Sequence, residues 1–232
     1  MVSESLKNAL NQLMKIEELS NFRLVGGTNL ALQFGHRSSI DIDLFAGGGA
    51  PNPRELSSIL DTALKSDFKI SRVQQYGLSA TVNQVKVDLY DWKVPFYLPA
   101  ILVDNIRLSS LEDIFAFKCE ALTGRRVEKD FVDLAEIMLH RSLDELFKAF
   151  QVRYPYFSKG AALAILLKPE SFERDFSIRY SMGKSWDNYV EIMEKKIIGY
   201  EKEIQSKKKE GLQQRDAHIQ KLVDLKRKKE NP

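Results

Sequence analysis

Apolar residues recur at three- and four-residue spacing from the start of the chain. Leu6, Leu10, Leu13 and Ile16 line one face of a helix predicted over residues 3–19. Phe22 to Val25 is a short apolar run closed by Gly26-Gly27, and it reads as a strand. Leu30, Ala31 and Phe34 then predict a short helix from Thr28 to Phe34 behind a polar first residue. Gly35-His36-Arg37-Ser38-Ser39 reads as a turn into Ile40-Asp41-Ile42-Asp43-Leu44-Phe45, where polar and apolar residues alternate as in a strand. The glycine- and proline-rich stretch 47–53 reads as a flexible loop, and Pro53 suits the first turn of a helix reaching about Lys65. Residues 68–74, 78–82 and 85–90 are strand-like. In the last of these, Val85, Val87 and Leu89 share one face, and Lys86, Asp88 and Tyr90 the other.

Residues 94–105 are punctuated by prolines and read as a loop with short strand pieces. Beyond Leu108 the texture becomes helical. Ser109 and Ser110 can cap a helix near 111–122, another spans about 129–140, and more follow. The expectation is an α+β chain with a mixed sheet and helices over residues 1–108 and a helical region over 109–232. The last segment, from about Asp187, is long, charged and helix-prone, with Gly199 and Gly211 as its weak points.

On a strand, Asp41 and Asp43 project from one face while Ile40, Ile42 and Leu44 point the other way, into a core. Adjacent carboxylates repel unless a cation lies between them, and oxygen-only ligation suits Mg²⁺ or Mn²⁺ better than Zn²⁺. The Gly26-Gly27-Thr28 turn leaves backbone N–H groups free to hold phosphate oxygens at a helix N-terminus. A phosphate cradle beside a pair of metal-binding carboxylates is the basic equipment for nucleotidyl or phosphoryl transfer. A two-metal site needs further carboxylates, and the best third is Asp88, with Lys86 two residues away on the same face. Lys86 can neutralise Asp88 or a nucleotide phosphate; equally, the two can form a plain surface ion pair.

If residues 117–134 formed one helix, Lys118, Arg125, Arg126, Lys129 and Asp133 would lie within about 100° of one another, a cationic face suited to phosphates. If Gly124 breaks the segment into two helices, that alignment fails. Arg37 can reach toward a triphosphate, His36 reads as a turn-stabilising group, and Cys119 as a packed small hydrophobe.

Bulk properties narrow this picture slightly. With 232 residues, 29% charged and 44% hydrophobic, the chain has the make-up of a soluble globular protein. It has no apolar run long enough to span a membrane and no signal-peptide layout at its start, so a cytoplasmic protein without a membrane partner is expected. A single cysteine excludes an internal disulfide, and the three scattered histidines show no zinc pattern. Residues 194–230 carry twelve Lys/Arg against seven Asp/Glu, leaving 23 against 25 elsewhere, so the net +3 arises in the tail. Such a helix is either a surface for a nucleic-acid backbone or a plain solvated face.

Val25-Gly26-Gly27, thirteen intervening residues and then Asp41-Ile42-Asp43-Leu44 resemble the signature of the DNA polymerase β-like nucleotidyltransferase superfamily. Within it, the run from Gly26 to Phe45, the Lys86-Val87-Asp88 element and the later Lys118…Arg126…Lys129-Asp130-Phe131-Val132-Asp133 motif resemble the AbiEii/AbiGii toxin branch. The resemblance covers roughly residues 20–140. It implies a polymerase β-like mixed sheet and an NTP-using enzyme, the toxin of a toxin–antitoxin or phage-defence pair, which transfers nucleotides to RNA such as tRNA. A cognate antitoxin protein is implied as a partner. On this reading Gly26, Gly27 and Thr28 hold the NTP phosphates, while Asp41, Asp43 and Asp88 bind Mg²⁺ or Mn²⁺ and act in catalysis. Arg37, Lys86, Lys118, Arg126 and Lys129 neutralise the triphosphate. Glycine at Gly27 replaces the serine of many superfamily members. Small-molecule or protein acceptors, or a nucleotide-binding protein without turnover, are the alternatives.

Overall fold

A computed structural model of the chain describes residues 2–181 and 183–230, with side chains as far as Lys221. The chain opens with α1 (Glu4–Met14), capped by Ser3, whose hydroxyl accepts from the Leu6 N–H. Its Leu6, Leu10 and Leu13 are fully buried, and the predicted helix of residues 3–19 stops at Met14, followed by a 3₁₀ turn at Glu17–Leu19. Strand β1 (Phe22–Leu24) leads directly into α2 (Gly26–Phe34), which begins two residues earlier than the sequence predicts. Then come β2 (Ile42–Ala46) and α3 (Pro53–Leu64), whose N-cap Asn52 accepts from two backbone N–H groups. Strands β3 (Phe68–Gln74), β4 (Gly77–Val82) and β5 (Val85–Asp91) form a meander close to the predicted bounds. A hairpin of two short strands, β6 (Ile101–Val103) and β7 (Ile106–Leu108), closes the sheet.

The seven strands lie in the order β3-β4-β5-β2-β1-β7-β6. Two of the pairings, β2 with β5 and β1 with β7, are parallel, and the others are antiparallel. Helices α1 and α3 cover one face, burying Leu44, Leu78, Val87 and Leu89 with Leu6, Leu10, Leu56 and Leu60. A face with one buried side and one partly open side produces the alternation read from the sequence.

Ser110 caps α4 (Leu111–Ala121), and the chain then turns through Gly124 into α5 (Glu128–His140). Residues 117–134 are therefore two helices, and the single-helix alignment of Lys118, Arg125, Arg126 and Lys129 does not exist. A capping box at Ser142 and Glu145 starts α6 (Leu143–Arg153), and α7 (Lys159–Leu166) follows. A second core packs Phe115, Phe131, Phe147 and Phe150 against Trp186, Tyr189 and Met193. These last residues belong to α8 (Trp186–Glu230), 45 residues and about 68 Å long. Neither Gly199 nor Gly211 interrupts it. Every residue from Gln205 to Lys221 is exposed, while the last basic residues, 226–229, have side chains outside the described set.

Candidate active site

The parallel pairing of β2 with β5 sets the site. It places Asp43 directly opposite Asp88 and Phe45 opposite Tyr90. The carboxylates lie on the sheet face away from α1 and α3, because Ile42, Leu44, Val87 and Leu89 are fully buried on the other. Asp41 lies just before β2, outside the regular strand. Ile40 corrects the sequence reading: the strand has not begun there, and its side chain is 76% exposed instead of joining the core.

Gly26 abuts this carboxylate pair. Its φ of +67° is a left-handed conformation, and a Cβ at this position would come within 2.5 Å of Asp43 Oδ2. The Val25 N–H donates to the Asp43 carbonyl at 2.9 Å, tying the start of α2 to β2. The Thr28 hydroxyl is used internally, donating to the Asp41 carbonyl and lying 2.8 Å from Ser39 Oγ. Asn29, which the sequence does not single out, bridges the Leu24 and Ser109 carbonyls at 2.7 and 3.1 Å, joining the two parts of the chain behind the site.

A cavity of about 650 Å³ opens over Asp41 and Asp43, and Gly26, Gly27, Arg37, Lys118, Arg125 and Lys129 also line it. Asp88 and Lys86 stand beside that lining, with Lys86 Nζ 2.8 Å from Asp88 Oδ2 and the Ser79 hydroxyl donating to Asp88 Oδ1. Arg126 is exposed and outside it.

Electrostatics divides the site in two. Burial, then Asp88 and Asp41, push the Asp43 carboxyl up to about 6. Lys86 is held above its ordinary value chiefly by its hydrogen bond to Asp88. Behind this acidic cluster lies a buried cationic one. Asp133 accepts from Arg37 Nε and Nη2, both at 2.7 Å, and lies 2.7 Å from Lys118 Nζ and from His36 Nε2. Asp130 takes Lys118 at 2.8 Å and Arg125 at 2.9 Å. Burial favours the neutral form of Asp133, but Arg37, Lys118 and His36 outweigh it and hold the carboxyl well below its usual range. Burial opposes the charge on Arg37 and Lys118 too; the carboxylates more than offset this and hold both above their ordinary values. His36 therefore belongs to a buried network, with no hydrogen-bond partner for Nδ1 among the described residues, and is more than a turn residue. Cys119 is buried, and burial pushes its thiol far up.

Among the described residues, no three His, Cys, Asp or Glu side chains form a ready-made metal cage. The donor set of Asp41, Asp43 and Asp88 nevertheless fits a hard divalent cation. All its donors are carboxylate oxygens, and the burial of Asp43 and its repulsion by Asp88 and Asp41, which together raise it, are what such an ion offsets.

The model of the family described as "Nucleotidyl transferase AbiEii toxin, Type IV TA system" matches residues 8–198. This chain belongs to the AbiEii nucleotidyltransferase toxin family. A relative, the uncharacterised protein aq_aa25 of Aquifex aeolicus (strain VF5), is 24% identical over 212 residues, covering 84% of this chain and 95% of that protein. The AbiEii chain is also similar in fold to JHP933 from Helicobacter pylori, with a TM-score of 0.52, 18% identity, and coverage of 92% and 100% of the two chains. MenT4, the nucleotidyltransferase toxin Rv2826c of Mycobacterium tuberculosis H37Rv, aligns with a TM-score of 0.51 at 13% identity, covering 82% of each chain. The family and the polymerase β-like mixed sheet are thus those expected from the motifs. Among the described residues of this AbiEii chain, no helix is long and apolar enough to cross a membrane. The departure at Gly27 also has a physical reason here. A Cβ would collide with Arg37 Nη2 and lie 3.0 Å from its Cζ, so the buried Arg37–Asp133 pair fills the space a serine would need.

Proposed function

We propose that this AbiEii-family nucleotidyltransferase is metal-dependent and moves a nucleotidyl group from an NTP to a hydroxyl of an RNA acceptor such as tRNA. It acts in the cytoplasm as a toxin held in check by a cognate antitoxin. The observation that carries this reading is the register of Asp43 against Asp88, with Gly26 abutting Asp43 and a cavity opening toward Arg37, Lys118 and Lys129. Asp41, Asp43 and Asp88 hold Mg²⁺ or Mn²⁺, which when bound neutralises phosphate charge and lowers the pKa of a bound oxygen. The backbone of Gly26 and Gly27 at the start of α2 holds phosphate oxygens. Arg37 and Lys118, fixed in advance by Asp130 and Asp133, supply positive charge along the triphosphate together with Lys129 from the cavity wall. Asp88, fixed by Ser79 and Lys86, takes the proton of the acceptor hydroxyl as its oxygen bonds to the α-phosphorus and pyrophosphate leaves.

The charge of α8 supports an RNA acceptor, since residues 194–230 carry an excess of five positive charges. The cavity volume supports a second reading, because about 650 Å³ also fits a small-molecule acceptor. The test incubates the protein with Mg²⁺, each labelled NTP in turn and total cellular RNA, beside Asp43→Asn. Label entering tRNA-sized RNA with wild type alone supports the proposal. Label confined to small molecules or protein replaces the acceptor, and equal labelling by folded Asp43→Asn overturns the site.

A further inference from the structure

One wall of the cavity is made of rings. Phe45, Trp92 and Phe117 line it together with Asp43, and they touch one another with centroids 5.2 Å (Phe45–Phe117), 5.9 Å (Phe45–Trp92) and 6.2 Å (Trp92–Phe117) apart. None of the three belongs to either hydrophobic core. Trp92 is 41% exposed, so part of its ring is free to be covered from the cavity side. Strand geometry fixes where the rings stand. Phe45 follows Asp43 by two residues on the same face of β2, and Tyr90 follows Asp88 likewise on β5. Trp92, just past the end of β5, is held beside β2 by its N–H donating to the Ala46 carbonyl at 3.0 Å. The aromatic row therefore lies about 6–7 Å beyond the carboxylate row, a step comparable with the span from a nucleotide's phosphate to its base. From behind, the Arg153 guanidinium sits 4.2 Å over the Phe117 ring and is anchored to the Pro95 carbonyl at 3.0 Å. Phe117 is thereby held in place, while Trp92 stays open to the cavity.

We propose that Phe45, Trp92 and Phe117 form a nucleobase shelf in which Trp92 stacks on the base of the nucleotide reacting at the Asp43–Asp88 pair. The inference rests on the nucleotidyltransferase reading above and adds to it where the base lies. Every nucleobase has a π-face, so the shelf accepts a base through stacking whichever substrate brings it. That base belongs to the donor NTP or to the end of the acceptor RNA, and the two sources are separable by experiment.

Tryptophan fluorescence is followed in wild type, Trp92→Phe and Trp92→Ala, with Mg²⁺ present. The titrants are each NTP, sodium tripolyphosphate, and short single-stranded RNAs of A, C or U. The other tryptophan, Trp186, is present in all three proteins and packs against Phe131 in the helical core, so it serves as an internal constant. The shelf predicts saturable quenching in wild type by a base-bearing titrant and none by tripolyphosphate. It also predicts loss of the quench in both variants and, by isothermal titration calorimetry, near-normal affinity in Trp92→Phe and an affinity about tenfold weaker in Trp92→Ala. Quenching by NTP alone assigns the donor base, and quenching by RNA alone assigns the acceptor base. In labelling assays, Trp92→Ala raises KM for that substrate about tenfold and leaves kcat within about threefold. An unquenched wild type that still transfers label overturns the shelf and leaves the reaction standing. So does quenching by tripolyphosphate equal to that by NTP, or an unchanged KM in folded Trp92→Ala. A wild type that neither binds NTP nor transfers label overturns both.

Discussion

Replacing Asp133 by Asn keeps the shape of the side chain and removes the charge on which Arg37, Lys118 and His36 converge. Asp133 is fully buried, and Arg37 and Lys118 are 5% and 7% exposed, so water cannot replace what is lost. The amide NH₂ would also face donors where a carboxylate oxygen had accepted. Asp130 still holds Lys118 at 2.8 Å, but Arg37 loses both of its 2.7 Å bonds to a carboxylate. Breaking a buried pair from one side costs about 3–5 kcal/mol. For a chain of this size each kcal/mol lowers Tm by about 2–4 °C, so the expected fall is roughly 6–20 °C at pH 7. The pH profile adds a signature. Asp130 and Asp133 are both held below their ordinary values, so their contribution is complete above the unfolded carboxylate range and is lost as pH falls through the folded values. The gap between wild type and Asp133→Asn should therefore close as the buffer is taken below about pH 4. Scanning calorimetry or circular dichroism melts from pH 3 to pH 8 measure both effects. A loss under about 3 °C at pH 7, or a gap that widens in acid, would refute the account of Asp133 as the anchor of this network.

Three other outcomes follow from the same geometry. Gly26→Ala costs about 1–2 kcal/mol from its left-handed φ and displaces Asp43 Oδ2, so label transfer should fall at least about a hundredfold, whereas a near-normal rate would show that Asp43 need not stay where it is. Gly27→Ser, although it restores the residue of many superfamily members, should lower Tm by driving Arg37 off Asp133, and the additional Arg37→Ala change should recover part of that loss in a double-mutant cycle. Cys119 should resist thiol reagents in the native protein and react at once in denaturant, because burial both hides the thiol and raises its pKa; stoichiometric labelling of native protein would contradict its packing.

Local pattern carried much of the fold. Strands β4 and β5 were legible because their alternation of buried and open positions has period two, and α4 because Ser110 precedes a helical run. The pattern misled where an element had not yet begun: Ile40 fits the alternation of β2 but precedes the strand and points to water. It also misled at glycines. Gly26 opens a helix in a left-handed conformation, and Gly211 passes through α8 because one glycine costs only about 1 kcal/mol in a long helix. In the site, the Asp41–Asp43 motif is local and could be read directly. The cationic cluster could not. Lys118 meets Asp130 and Asp133 through the packing of α4 on α5, Arg125 meets Asp130 from the turn between the two helices, and Arg37 meets Asp133 from 96 residues away. The aromatic wall had a signal in Asp43-x-Phe45 and Asp88-x-Tyr90-x-Trp92, but the face it shares with the carboxylates needs the β2–β5 pairing to be known.

The wide separation of these parts along the chain bears on when activity can begin. Residues from Val25 to Ile178 wall one cavity, and the acid that fixes Arg37 is supplied by α5. At ordinary rates of protein synthesis, about 7 to 27 s pass between the appearance of Asp43 and that of Ile178. During that interval the growing polypeptide carries Asp41, Asp43 and Asp88 without the α5 residues that wall the cavity above them. On the proposed function, an interrupted translation product ending before α5 would lack the acid that fixes Arg37, and catalytic competence would arrive only after Ile178 has been added.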